Sequence, residues 1–272
     1  MSNAGHAWRI AGASVLGDFH AREGRINQDA IGWIPHDGGG SRIVGAVSDG
    51  HGASVHFRSD RGARMAVEQA LDILAWHMDD DDPGQDALPA ATVAGWRDAV
   101  LADMAADPLD RNGTRPGATL APYGATLLAM AANDAEMTLL QIGDGDMLLV
   151  YADGRVVRPM VADADLVGEQ TYSLCMDDAE TRVKTASLWR DGDWPMAVLL
   201  ATDGVSKSFR DEAAFQDAAR QLASHARDDW AAFVSELPGW LSTISHHGSG
   251  DDASLCLALN MSEADPPQGS AR

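Results

Sequence analysis

The sequence contains few lysines, an excess of acidic residues and no long apolar run, and each feature excludes a class of protein. The chain has 272 residues, 41 acidic and 20 basic, with a formal net charge of −21, and only Lys184 and Lys207 of the basic residues are lysines. Such an acidic excess argues against nonspecific binding to nucleic acid or to an anionic membrane surface. No stretch approaches the roughly 18 apolar residues of a membrane-spanning helix. We therefore expect no nucleic-acid partner and no membrane partner.

Cysteine is equally scarce. Cys175 and Cys256 lie far apart in the chain, and two reduced thiols in a reducing compartment are favoured over one disulfide between them. The first residues have neither the basic region nor the apolar region of a signal peptide. These features together predict a soluble, cytoplasmic protein.

The composition is that of a globular protein, with 45% hydrophobic and 22% charged residues. Neither an internal repeat nor a linker between two cores is evident. We expect a single domain over residues 1–260, because domains with many strands often reach this length. The polar residues 261–272, with paired prolines, are typical of a disordered tail.

Hydrophobic periodicity outlines a mixture of strands and helices. Two strand-like runs, 30–34 and 42–47, flank a glycine-rich turn and predict a hairpin. Three more runs within 125–151 are separated by turn dipeptides and predict an antiparallel meander. Residues 159–184 carry many acidic and few apolar side chains, which predicts a mobile surface segment. Apolar spacing further predicts helices over 61–78, 91–106 and 211–237, and buried strands over 197–201 and 253–259.

Aspartates stand beside glycines at the ends of strongly hydrophobic strands. One such pair is ordinary turn chemistry, but the pattern occurs four times, and antiparallel strands could bring these ends together. Clustered carboxylates cannot all stay ionised without a compensating cation. Oxygen ligands of this kind select Mg²⁺ or Mn²⁺ rather than zinc. The pattern predicts a metal site that contains Asp49, Asp144, Asp203 and Asp251.

Five short motifs follow one another in a distinctive order. They are Ser48-Asp49-Gly50-His51-Gly52, Tyr123-Gly124-Ala125-Thr126, Ile142-Gly143-Asp144-Gly145, Ala201-Thr202-Asp203-Gly204-Val205 and Gly250-Asp251-Asp252-Ala253-Ser254. In this order they resemble the metal-dependent protein phosphatases of the 2C type, bacterial branch, over residues 13–259. The resemblance implies an α+β fold in which helices flank a central β-sandwich of two antiparallel sheets. It also implies two metal ions, Mn²⁺ or Mg²⁺, between the sheets at one end.

The resemblance assigns the metal ligands residue by residue. Asp49 would bridge both ions, and Gly50 would bind one of them through its carbonyl oxygen. Asp203 and Asp251 would bind the other ion. Asp144 matches the aspartate that holds a third, weaker ion in bacterial members.

Further residues would act on water, on the leaving group and on the phosphate. Asp29 matches the acid that orients metal-bound water. His51 would act as the general acid for the departing alkoxide, since the usual pKa of histidine suits this role. The arginine with which the family binds phosphate is replaced here by Gly24. The nearby candidates for the phosphate contact are Arg25, Arg22 and His20.

The implied activity is that of a serine/threonine protein phosphatase. Water activated by two metal ions would attack phosphorus directly, without a phosphoenzyme. The partner would be a phosphorylated protein, and the chain would oppose a serine/threonine kinase. One alternative is a pseudophosphatase that binds phosphoproteins or another partner, and the complete set of predicted ligands argues against it. A hydrolase of small phosphate esters would use the same site, and only substrate profiling separates it.

Overall fold

Two antiparallel β-sheets form the centre of the molecule. The computed structural model describes residues 8–78, 85–109, 120–161, 163, 171–190 and 193–264. The first sheet contains, in spatial order, β3 (Gly39–Gly40), β1 (Trp8–Val15), β11 (Ala253–Asn260), β10 (Ala197–Ala201), β7 (Asp146–Val150) and β8 (Val156–Val157). The second sheet contains β2 (Ala30–Ile34), β4 (Ile43–Ser48), β5 (Leu127–Ala132), β6 (Glu136–Ile142) and β9 (Lys184–Trp189). The predicted hairpin is confirmed, because β2 pairs with β4.

Helices cover the outer face of each sheet. The second sheet packs against α2 (Ser59–His77), which also contacts α3 (Leu88–Ala106), and the first packs against α5 (Glu212–Asp228) and α6 (Trp230–His247). The predicted sandwich with helices on both sides is therefore confirmed. Shorter helices are α1 (Asp18–Glu23), α4 (Asp203–Ser206) and α7 (Met261–Ala264), with 3-10 turns at Ser54–His56, Gln85–Ala87, Ala121–Tyr123 and Ala179–Thr181. None of the described helices is both long and apolar enough to cross a membrane.

The apolar core has three layers, one between the sheets and one under each helical layer. Strand β11 shows how the layers arise, because successive side chains point to opposite faces of a sheet. Leu255 and Leu257 pack under α5 and α6, whereas Cys256 packs between the sheets. Both cysteines are free thiols, as predicted. Burial raises the pKa of Cys256 to about 12, so this thiol is unreactive at neutral pH.

The predicted meander is wrong at its second turn. Strands β5 and β6 pair with each other, but β7 pairs with β10 in the other sheet. Residues 143–145 therefore carry the chain from one sheet to the other. Gly143 has φ +99°, and a Cβ there would lie 2.5 Å from Thr126 Cγ2, so this crossing requires glycine. The crossing places Asp144 between the two sheets.

The interval 159–184 is better anchored than predicted. Its described part contains Tyr172, Leu174, Ala179 and Val183, which are buried in the core under α2 and α3. The expectation of few apolar anchors is therefore wrong for this part. Residues 162 and 164–170 of the segment, and residues 265–272 of the predicted tail, lie outside the described residues.

The helical prediction over 211–237 corresponds to two helices rather than one. Asp229 ends α5 and begins α6, where its side chain accepts a hydrogen bond from the Ala232 N–H at 3.0 Å. A cap of this kind satisfies one of the free amides of a helix N-terminus. The chain therefore turns at Asp229, and α6 continues to His247.

Helix α2 contains a glycine at a point of very close packing. A Cβ on Gly62 would lie 1.9 Å from the Tyr123 carbonyl oxygen, whereas a Cβ on Gly239 in α6 would meet no atom within 4 Å. We expect Gly62→Ala to lower the free energy of unfolding by about 2–3 kcal/mol. Gly239→Ala should raise it by roughly 0.5–1 kcal/mol, since alanine favours helix. Urea unfolding of the two variants measures both values, and similar effects at the two positions would contradict the packing.

Candidate active site

An open cavity of about 540 Å³ lies where the strand ends of the two sheets meet. Strand pairing explains the meeting point. Val47 near the end of β4 lies opposite Leu128 at the start of β5, and Ala201 at the end of β10 lies between Leu255 and Asp146. The predicted metal-binding aspartates all line this one cavity: Asp49, Asp144, Asp203 and Asp251.

The segment around Asp49 and Gly50 is held tightly by its neighbours. The Asp49 N–H donates to Thr126 Oγ1 at 3.1 Å, and the Asp49 carbonyl accepts from the Thr126 N–H at 2.9 Å. A Cβ on Gly50 would lie 2.5 Å from the Gln28 carbonyl oxygen and 2.7 Å from that of Ser59. Only glycine therefore allows this approach, which fixes the backbone between Asp49 and His51.

The electrostatics of Asp49 are those of a carboxylate that lacks a compensating cation. Burial raises its pKa well above the usual value, and the charges of Asp29, Asp203 and Asp251 raise it further. A divalent cation would reverse this effect because it favours the ionised form. In the described part of the chain no three such side chains form a closed metal-ligand cluster. The carboxylates face an open cavity instead, and their hard oxygen donors fit Mg²⁺ or Mn²⁺.

Asp29 lies beside these carboxylates rather than in the cavity lining. Thr202 Oγ1 donates to Asp29 Oδ2 at 2.9 Å, and the Asp29 N–H donates to the Asn27 side chain at 3.0 Å. Burial raises the pKa of Asp29, and the charges of Asp252 and Asp203 add to the effect. Asp29 is thus held in a fixed orientation next to the proposed metal ligands.

The adjacent residues Asp251 and Asp252 have different environments. Asp251 lines the cavity. Asp252 is buried, and its carboxylate accepts hydrogen bonds at 2.8 Å from the N–H groups of Gly17 and Gln28. His20 Nδ1 lies 3.0 Å from the same carboxylate. Asp252 therefore links the start of β11 to the N-terminal segment, and Asp251 is the one available to a ligand.

The three candidates for the phosphate contact occupy different places. His20 is only 6% exposed and faces Asp251 and Asp252. Arg22 is exposed and pairs with Asp18 on α1. Arg25 donates a hydrogen bond at 2.6 Å to the carbonyl of Gly52, a residue of the cavity lining. Of the three, only Arg25 lies at the cavity mouth.

His51 lines the cavity together with a second histidine that sequence analysis missed. The rings of His51 and His56 lie 4.9 Å apart at 61°, and His56 is hydrogen-bonded to the Ala121 carbonyl. A Cβ on Gly124 would lie 2.8 Å from the His51 ring, so Gly124 makes room for it. Burial lowers the pKa of His51 to about 4, and the charge of His56 also lowers it. Without a bound anion, His51 is therefore neutral at pH 7.

Lys207 is the other lining residue that sequence analysis missed. It follows Asp203 by four positions, a spacing that places two side chains on one face of a helix, and its ammonium donates to Asp203 Oδ2. Burial acts to lower the pKa of Lys207, but the hydrogen bond to Asp203 and the charges of Asp144 and Asp251 outweigh it and raise the pKa. Among the described lining residues, Lys207 is the sole lysine or arginine.

The sequence and the fold are both similar to known phosphatases. The model of the family described as protein phosphatase 2C matches residues 16–242. No curated protein sequence gives a significant match.

Three solved structures share the fold. The catalytic domain of the serine/threonine protein phosphatase PstP, in complex with two manganese ions, is 23% identical with TM-score 0.56, covering 93% of this chain and 97% of its own. The PstP/Ppp phosphatase of Mycobacterium tuberculosis is 21% identical with TM-score 0.55, covering 93% and 98%. PppA, a key regulatory component of T6SS in Pseudomonas aeruginosa, is 19% identical with TM-score 0.58, covering 94% and 98%. At these identities the likeness establishes the fold.

Proposed function

Because this chain belongs to the protein phosphatase 2C family, it is a protein serine/threonine phosphatase, and we propose that the cavity at the strand ends is its active centre. One observation carries this proposal. Three aspartates from separate parts of the chain, Asp49, Asp203 and Asp251, line the same cavity. Carboxylates that raise one another's pKa in this way need cations to stay ionised.

We propose that Asp49, Asp203, Asp251 and the carbonyl oxygen of Gly50 hold two ions of Mn²⁺ or Mg²⁺. The manganese ions in the PstP catalytic domain support this choice of metal. When bound, the ions supply Lewis acidity that activates water and offsets charge on the phosphoryl oxygens. The donor chemistry of this chain fits that role, because the ligands are hard oxygens.

The chain's own residues then position the reactants. Asp29, held by Thr202, orients the attacking water. His51 holds a proton near the leaving oxygen of serine or threonine, and a phosphoryl dianion in the cavity favours its protonated form. Arg25 at the cavity mouth binds a phosphoryl oxygen. These three roles are proposals that rest on the positions of the side chains.

Metal binding gives a direct test of the proposed centre. A carboxyl whose pKa is raised on folding destabilises the fold once the pH exceeds its usual pKa. Asp49→Asn should therefore raise the unfolding temperature of the metal-free protein while removing most of the stabilisation by Mn²⁺. In the wild type, Mn²⁺ at 100 times its Kd should stabilise the fold by about 2.7 kcal/mol per site. Thermal unfolding with Mn²⁺, with Mg²⁺ and with chelator measures this.

The control for this experiment is Asp144→Asn, which should remove little of the shift because Asp144 is not proposed to hold either of the two ions. No shift in the wild type with either metal would contradict the metal centre. A full shift in Asp49→Asn would contradict the role of Asp49 alone.

The role of Arg25 predicts a kinetic difference between two arginines close in sequence. Arg25→Ala should lower kcat/KM on a phosphopeptide by about 10–100-fold, since a charged hydrogen bond contributes about 1.5–3 kcal/mol. Arg22→Ala should change it by less than about twofold, because exposed ion pairs contribute little. Steady-state kinetics of both variants test this assignment. A larger loss in Arg22→Ala than in Arg25→Ala would reverse it.

We further propose that the substrates are cytoplasmic proteins phosphorylated by a serine/threonine kinase. The net charge of −21 supports a protein rather than a nucleic acid as the partner. A comparison of phosphoproteins in cells with the wild type and with an inactive variant tests this. Unchanged phosphoserine and phosphothreonine levels, with free small phosphate esters altered instead, would contradict it.

A further inference from the structure

Lys207 occupies a position in the cavity that is unusual for a lysine. Its ammonium donates to Asp203 Oδ2, and the charges of Asp144 and Asp251 also act on it. All four side chains line the same cavity. A fixed positive charge therefore lies beside Asp203 and is attracted by Asp144, the pair of carboxylates expected to hold a weaker third metal ion.

The choice of lysine at this position has a physical meaning. All but two of the 20 basic residues of the chain are arginines. An arginine presents a broad planar fork, whereas a lysine presents a compact point charge. A compact ammonium can occupy the space of a single cation between two carboxylates, and a guanidinium is less suited to it.

An ammonium and a divalent ion cannot share this position. Like charges at close range repel strongly in a partly buried site. Asp203 Oδ2 also cannot be a free ligand for a further ion while it accepts the hydrogen bond from Lys207. The charge balance agrees, because two divalent ions already neutralise the four carboxylates of Asp49, Asp144, Asp203 and Asp251, and Lys207 then leaves a net positive charge toward a phosphoryl anion.

We propose that the ammonium of Lys207 takes the place of a third metal ion between Asp144 and Asp203, so that this chain binds two divalent ions and not three. The inference rests on the proposed metal centre. It replaces the expectation that Asp144 holds a weaker third ion. Asp144 instead serves to attract and retain the Lys207 side chain.

The number of bound ions tests the inference without any activity assay. We expect equilibrium dialysis against Mn²⁺, up to millimolar concentration, to give two ions per wild-type chain. Lys207→Ala and Lys207→Met should each bind a third ion at least tenfold more tightly than the wild type does. Asp144→Asn combined with Lys207→Ala should return the number to two. Lys184→Ala is the matched control, because it removes the other lysine and should leave two ions.

The outcomes separate the inference from the proposed function. Three ions on the wild type, reduced to two by Asp144→Asn, would overturn the inference and leave the metal centre intact. Two ions on both Lys207 variants would also overturn it. No bound Mn²⁺ on the folded wild type would overturn the metal centre and the inference together. Circular dichroism of each variant shows that the fold is retained.

Discussion

Asp203→Asn should abolish phosphatase activity, with kcat/KM falling by at least about 1,000-fold on both an aryl phosphate and a phosphothreonine peptide. Asp203 is only 8% exposed and lines the cavity beside Asp49. Replacement by asparagine keeps the size of the side chain but removes the charge that a divalent ion needs. The loss should be equal on the two substrates, because the metal centre acts before the nature of the leaving group matters. Steady-state kinetics at saturating Mn²⁺ measure it.

The control for Asp203→Asn is Asp217→Asn on α5. Asp217 is exposed and pairs with Arg220, so its loss should leave activity within about twofold of the wild type. Asp203→Asn protein that is folded and retains more than a tenth of the activity would contradict the role of Asp203 as a metal ligand.

His51→Ala should separate the two substrates. Nitrophenolate is a good leaving group that hardly needs a proton, whereas a threonine alkoxide needs one. We expect kcat/KM on the peptide to fall by about 100–1,000-fold and that on the aryl phosphate by less than about tenfold, in line with general acid catalysis. Parallel kinetics on both substrates give the ratio directly.

The environment of His51 sets a condition on this prediction. Its pKa of about 4 means that few molecules carry the proton at pH 7 before a phosphoryl anion binds. His36→Ala, which changes an exposed loop histidine, is the matched control and should alter neither substrate. Equal losses on the two substrates for His51→Ala would contradict the acid role and leave the metal centre standing.

The local parts of the fold were predictable because they depend on residues close in sequence. The apolar run of β11 and the turn before it identify a buried strand that begins after Asp251 and Asp252. The sheet to which a strand belongs depends instead on distant residues. Turn dipeptides therefore could not show that Gly143 carries the chain into the other sheet, where β7 pairs with β10.

The missed features of the site have the same origin. A lysine four positions after Asp203 is common on helices, and only the cavity gives Lys207 its meaning. His56 likewise becomes notable through its ring contact with His51. The anchoring of residues 171–183 depends on Leu174 and its neighbours reaching a core that is built by other segments. Such long-range placement is not encoded in local periodicity.

The most direct test of the central claim is the release of phosphate from a phosphothreonine peptide by the purified wild-type chain. We predict release in the presence of Mn²⁺ that stops on addition of chelator and resumes when Mn²⁺ is restored. The cavity residues Asp49, Asp203 and Asp251 would then account for the metal requirement. Folded, Mn²⁺-loaded protein that releases no phosphate from this peptide or from an aryl phosphate would contradict the claim and favour a pseudophosphatase.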